Sequence, residues 1–292
     1  MTPSSARLDP LEVRRTLRRE GLRARHGRSQ NFIADPDVLQ AILDLAEVAP
    51  GSRVLEIGPG LGILTGGLLD GGAEVTAVEL DAGLARYLRE QFAEAIDSGR
   101  LHLTEGDALD LELTELVPSP YRVVANLPYH ITSPSLHRLL GQPPSPDRLV
   151  LMVQAEVAER IAAPPGRMSY LSAFVQFHAT VRVALRVPPE AFEPAPKVAS
   201  AVVVLEPHAR FALDAAREAE LWGLVQAGFR ERRKMLRNVL ARQLRAGPDR
   251  TTGPLVGQTR VDAALAAVGI AGDRRPQTLS VEDWLRLLEA LR

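Results

Sequence analysis

Arg53-Val54-Leu55-Glu56-Ile57-Gly58-Pro59-Gly60-Leu61-Gly62-Ile63-Leu64-Thr65 is the stretch on which the fold turns. Its first five residues read as a short buried strand, apolar through the middle. Three glycines at alternate positions make a tight turn, and apolar residues at helical spacing follow, which predicts a helix over 61–69. Upstream, Asp35-Pro36 supplies a cap and a first-turn proline for an amphipathic run carrying Val38, Leu39, Ile42, Leu43, Leu45 and Ala46. Downstream, 74–79 is strand-like, 82–96 has helical spacing, and 101–103, 121–125 and 149–153 read as further strands. Strands alternating with helices predict a doubly wound α/β domain around a mostly parallel sheet.

Two more strands are expected at 181–187 and 198–205, joined by the proline-rich loop 188–196, as an antiparallel pair extending one sheet edge. Pro207 marks a boundary, and helices are expected at 214–227, 231–245, 260–268 and 280–291. The reading divides the chain into a basic segment at 1–34, the α/β domain at 35–207 and a small helical domain at 208–292.

The chain has 292 residues, 46% hydrophobic and 24% charged, which excludes a largely disordered or collagen-like protein. Cysteine is absent, so disulfides and thiolate chemistry are excluded. The six histidines have no metal-ligand spacing, and no metal is expected. No apolar run is long enough to span a membrane, and the arginine-rich first 25 residues lack the core of a secretory signal, so the expected compartment is the cytoplasm. The net charge of −1 conceals an asymmetry: residues 1–35 balance at +4, residues 36–150 at −10 and residues 208–292 at +5. Basic flanks around an acidic middle suit a polyanionic partner, with a plain solvated arginine surface as the alternative.

The heptad Glu56-Ile57-Gly58-Pro59-Gly60-Leu61-Gly62 has Ile63 where a dinucleotide turn would carry glycine. Acid-x-Gly-x-Gly-x-Gly instead resembles the first motif of class I methyltransferases, which bind S-adenosylmethionine. Glu79 ends the next strand, where a carboxylate can accept from both ribose hydroxyls. Asp107, followed by Ala108, comes after the third strand, where an Asp can accept from an adenine amino group. Three such positions at carboxyl ends of consecutive strands converge on one crevice.

Asn126-Leu127-Pro128-Tyr129 follows the fourth strand on the same edge. It resembles the (Asp/Asn)-Pro-Pro-(Tyr/Phe) signature of enzymes that methylate exocyclic amines of bases. The lone pair of adenine N6 is delocalised into the ring, so that nitrogen is a poor nucleophile. The Asn126 side-chain oxygen and the Leu127 carbonyl could accept its two N–H groups and make it more electron-rich. Pro128 keeps the acceptors aimed, and Tyr129 offers a ring for an unstacked base.

These blocks are joined by Gln30-Asn31-Phe32-Ile33, 152–160, 192–200 and 229–238. Together they resemble the ribosomal RNA small-subunit adenine dimethyltransferase family, which places two methyls on N6 of each of two adjacent adenines. The resemblance implies a methyltransferase domain followed by a small helical one, S-adenosylmethionine as cofactor, the small ribosomal subunit and its RNA as partner, and a monomer. It implies that Asn31, Ile33, Gly58, Glu79, Asp107 and Asn126 lie against the cofactor, and that Gln30 and Phe32 belong to a segment ordering over the active site. Gln30, Gly60, Gly62, Glu56 and Ala108 complete the expected cofactor set. Two departures stand out: Ser29 replaces a usual Gly, and Ala155 replaces a common Lys that could touch RNA.

Arg230, Arg233, Lys234 and Arg237 follow i, i+3, i+4, i+7 spacing and predict one basic helical stripe for RNA phosphates. Arg14, Arg15, Arg18 and Arg19 offer a second, equally readable as part of a mobile segment. Two rival functions remain at this level: a large-subunit RNA methyltransferase of the macrolide-resistance type, and a non-enzymatic ribosome-assembly or transcription factor. Leu127, the 154–160 block and the arginine-rich 229–238 block favour the small-subunit enzyme over the first. Intact cofactor and Asn-x-Pro-Tyr motifs argue against the second.

Overall fold

The computed structural model describes residues 8–22 and 30–292, so Ser29 and His26 lie outside the described residues. The described chain divides into two compact units, one running to Ala158 and resuming over Thr180–Pro207, the other holding Glu159–Ala179 and His208–Arg292. The expected domain over 35–207 therefore cedes 159–179 to the helical unit. The reason is packing: Met168, Ala173 and Phe177 are buried in one cluster with Leu221, Leu265 and Trp284.

In the first unit the strands are β1 (Phe32–Ile33), β2 (Arg53–Ile57), β3 (Glu74–Glu79), β4 (Leu101–Glu105), β5 (Arg122–Asn126), β6 (Arg148–Gln154), β7 (Ala179–Val187), β8 (Phe192–Glu193) and β9 (Ser200–Pro207). Seven of them form one sheet in the order β4-β3-β2-β5-β6-β9-β7. The pairings from β4 through β6 are parallel, and β9 runs antiparallel to β6. The central strands are buried on both faces, as Val54, Leu55, Val123, Val124, Leu149 and Leu151 attest. The chain leaves β2 towards β3 and β4, then returns to lay β5 on the other side of β2. That reversal opens a crevice beyond the carboxyl ends of β2 and β5.

The expected strands and helices are largely where the periodicity put them, with three differences. The helix expected over 82–96 breaks at Phe92 into Ala82–Gln91 and Ala93–Asp97, the backbone at Phe92 leaving helical values. β1 and β8 form an antiparallel pair of two residues each, too short for any periodicity to register. They match Phe32 with Glu193 and Ile33 with Phe192, so the proline-rich loop fastens residues 32–33 to the α/β unit. Arg14, on the helix Pro10–Arg19, pairs with Glu193 at 2.7 Å, and Val13 and Leu17 of that helix enter the same core as Phe32 and Ile33.

The third difference concerns the basic stripe. The helix expected at 231–245 begins only at Leu236, and Arg230, Arg233 and Lys234 occupy the turn that follows the helix Ala215–Phe229. The four cations thus share no helical face. Met235 is extended and its side chain gives no cap. The main-chain N–H groups of Leu236 and Arg237 are instead satisfied by the carbonyls of Arg274 and Gly272, which fixes the helix start there. All four basic side chains remain exposed.

Candidate active site

The sequence places its chemistry at the carboxyl ends of β2, β3, β4 and β5, and the fold gathers those ends around one cleft. The cleft is lined by Gln30, Asn31, Phe32 and Ile33, the glycine turn, Glu79 and Leu80, Gly106 to Ala108, and Asn126 to Ile131. Every expected cofactor residue lines it except Gly62, and all four residues of the Asn126–Tyr129 block line it as well.

Gly62 does something else. It has φ +74°, and a Cβ there would sit 2.4 Å from Phe92 Cε2 and 2.8 Å from Leu88 Cδ2. It lets the helix Ile63–Asp70 start close against the helix that follows β3. Gly60 (φ +60°) serves the cleft directly, since a Cβ would meet Phe32 Cε1 at 2.9 Å. The Phe32 ring therefore rests on the bare backbone of the turn. On the other side, a Cβ at Gly58 would lie 3.6 Å from Pro128 Cδ, so the glycine turn abuts the Asn126–Tyr129 loop.

Glu79 ends β3 and is buried. Its Oε2 accepts from the Gly60 main-chain N–H at 3.0 Å and its Oε1 from that of Asp81 at 2.8 Å. Burial pushes its carboxyl above the ordinary range, and these main-chain donors pull it back. The Leu80 main chain adds a third such bond, which leaves the carboxylate acceptor capacity for a ligand hydroxyl. Glu56 is buried more deeply, and desolvation raises its carboxyl to about 8 against the opposing effect of the Thr65 hydroxyl. Thr65 Oγ1 donates to Glu56 Oε2 at 2.6 Å. Asp107 turns its own loop by accepting from the Leu109 N–H at 2.8 Å.

Among the described residues no Lys or Arg lines the cleft, whereas the acidic side chains Glu79 and Asp107 do, with Glu56 beside them holding its proton up to about 8. That charge suits a cationic ligand with hydroxyls and not a pyrophosphate. Ile57, Val78, Leu80 and Leu84 add apolar wall for a flat ring. The sequence reading missed Leu80, an apolar side chain left 46% exposed beside the carboxylate. Its signal was a leucine in the strand-to-helix turn after Glu79, where polar residues are the rule.

Asn126 ends β5, and its Nδ2 donates to the Asn31 carbonyl at 2.9 Å. Leu127 buries its side chain, and its main-chain N–H donates to the Met152 carbonyl at 3.1 Å. Tyr129 opens a single helical turn, is half-buried, and shares a 2.8 Å hydrogen bond between its hydroxyl and Ser200 Oγ. Among the described residues no group of acidic and histidine side chains could hold a metal, and no helix is long and apolar enough to cross a membrane.

Comparison with known proteins agrees with this geometry. Residues 21–291 match the family model described as ribosomal RNA adenine dimethylase. The chain is 45% identical over 278 residues to the ribosomal RNA small subunit methyltransferase A of Thermosynechococcus vestitus, covering 93% of this chain and 98% of that protein. It is 38% identical over 281 residues to the protein of the same name from Geobacter metallireducens, covering 94% and 98%. Among solved structures, the 23S rRNA methyltransferase ErmE superposes with a TM-score of 0.68 at 30% identity, covering 89% of this chain and 99% of that one. A dimethyladenosine transferase from Plasmodium falciparum superposes with a TM-score of 0.72 at 26% identity, covering 88% and 95%. A glycine turn, a buried strand-end carboxylate and an Asn-Leu-Pro-Tyr loop around one cleft, with the family model matched along nearly the whole chain, lead to one assignment: this protein belongs to the ribosomal RNA adenine dimethylase family.

Proposed function

We propose that this protein dimethylates N6 of two adjacent adenines in small-subunit ribosomal RNA, using S-adenosylmethionine, as a step in small-subunit biogenesis. The observation that carries the reading is the shared cleft. The glycine turn and Glu79 line one part, Asn126 to Tyr129 line another, and a Cβ at Gly58 would reach Pro128 where they meet.

S-adenosylmethionine, when bound, supplies an electrophilic methyl group. Glu79 would accept from its ribose hydroxyls, Asp107 and Ala108 would border its adenine, and Gly58, Gly60 and the Gln30–Ile33 segment would enclose the rest. The negative lining suits its positive charge. With Nδ2 committed to Asn31, Asn126 keeps Oδ1 to accept from the target amine, and the Leu127 carbonyl takes the second N–H. The two acceptors raise electron density on N6 and hold it for in-line attack. Pro128 stiffens the loop, and the Tyr129 ring gives the extruded base a surface to stack on. The nitrogen becomes acidic only as it is methylated, so its proton can pass to solvent without a dedicated base.

RNA is held by the exposed cations Arg230, Arg233, Lys234 and Arg237 of the helical unit. Their placement in a turn and at a helix start suits phosphates as well as a helical face would. The reading includes a monomer working in the cytoplasm. Identity of 45% to a small subunit methyltransferase A, against 30% to the 23S rRNA methyltransferase ErmE, supports the choice of subunit. Methyl mapping on both purified ribosomal subunits tests it: label on adjacent small-subunit adenines is expected, and label confined to the large subunit would overturn it.

A further inference from the structure

We propose that Ser200 is a positioning residue for methyl transfer, holding the Tyr129 ring at the angle the target base requires. The inference rests on the adenine dimethylation reading and extends it to a residue outside the cleft.

Tyr129 sits where the chain leaves β5 and turns into the helix Thr132–Gly141. It belongs to a three-residue turn, and such a turn leaves the side chain free to swing about its Cα–Cβ bond, tilting the ring, unless something holds the far end. That something is Ser200. Its Oγ lies 2.8 Å from the Tyr129 hydroxyl, across 71 residues of sequence.

Ser200 is itself rigidly set. It is fully buried at the first position of β9, paired in register with Gln154 of β6, and the preceding carbonyl of Ala199 accepts from the Ala155 N–H at 3.0 Å. Burial pushes the Tyr129 hydroxyl above its ordinary pKa, so it stays neutral and the bond persists across the physiological range. A buried serine hydroxyl with a single side-chain partner is a specific arrangement, because an apolar strand residue would suit the core equally well at lower desolvation cost.

The same stretch of chain holds a second wall. Eight positions before Ser200, Phe192 pairs with Ile33 and so fastens the Asn31–Ile33 side of the cleft. The loop from β8 to β9 therefore sets both the stacking ring and the segment that takes the Asn126 amide. Dimethylation asks the ring to receive an adenine twice, the second time with one methyl already present. A ring free to tilt would tolerate the first transfer better than the more crowded second.

The test uses full-length Ser200→Ala, Tyr129→Phe and the double variant on unmethylated small subunits. It reads the mono- to dimethyladenine ratio by mass spectrometry, kcat and KM for the particle, and the dissociation constant for S-adenosylmethionine by calorimetry. Each single variant should lose roughly tenfold in kcat, the size of one well-made hydrogen bond, and accumulate monomethyladenine. S-adenosylmethionine affinity should stay within about twofold, and the double variant should match the singles, since both remove one bond. Unchanged kcat and methyl ratio in Ser200→Ala would overturn the inference. So would losses that add in the double variant, or a parallel loss of cofactor affinity, which would mark Ser200 as a general packing residue. Wild-type protein is run alongside: if it forms no methyladenine, the underlying functional reading fails instead.

Discussion

Asn126 Nδ2 and the main-chain oxygen of Asn31 lie 2.9 Å apart, a bond that joins residues 95 positions distant and decides which end of the Asn126 amide is spoken for. An amide that donates to a carbonyl presents its oxygen elsewhere. The N-terminal segment thus orients the group proposed to receive the adenine amine, and does more than cover the cleft.

Asn126→Ala should therefore abolish turnover and spare binding. The expected loss is about 100-fold or more in kcat, typical of removing an oriented transition-state acceptor. RNA affinity measured by filter binding should be unchanged. Undiminished methylation in this variant would remove Asn126 from the reaction.

Gly62→Ala should cost stability, because Gly62 does not line the cleft. Its positive φ and the 2.4 Å approach to Phe92 together predict a loss of about 3 kcal/mol. Denaturant unfolding checks the value. A neutral effect would mean that Phe92 and Leu88 yield easily.

Glu56 gives the folded protein a pH dependence with a definite sign. Its folded carboxyl holds a proton up to about 8, well above the ordinary 4.5, so the native state binds more protons than the unfolded one in that window. Stability from this group is full below 4.5 and is lost as pH rises towards 8. Glu56→Gln keeps the shape and cannot ionise. Its melting temperature relative to wild type should rise steadily between pH 5 and pH 8.5 in the absence of ligand. A constant difference across that range would show that Glu56 is already ionised in the fold.

Replacing Arg233 and Lys234 together with alanine should weaken RNA binding and flatten its salt dependence by roughly two units of log K against log salt. Affinities measured at several salt concentrations decide this. An unaltered slope would take both residues off the RNA-contact surface.

Much of the architecture was legible because its signals are local. The strand-glycine-helix stretch at 53–69, Glu79 at the end of its strand and the Asn126–Tyr129 block each declare themselves within a few residues. What stayed hidden depends on partners far along the chain. The helix start at Leu236 is set by carbonyls at 272 and 274, which no reading of 229–240 could supply. The β1–β8 pair is two residues long and exists only because the chain returns at 192. Gly62 was grouped with its neighbours because three alternating glycines look equivalent in sequence, and only the position of Phe92 separates packing from ligand contact. The bond from Tyr129 to Ser200 had no sequence signal, since a serine opening a strand is unremarkable.

The assignment of Glu159–Ala179 to the helical unit bears on how this protein can be dissected. Severing the chain after Pro207 would strand Met168, Ala173 and Phe177 without the side chains that bury them, leaving a greasy flap on an otherwise finished sheet. A minimal catalytic fragment would need residues 159–179 excised and the ends at Ala158 and Thr180 rejoined, because the chain passes from one unit to the other three times.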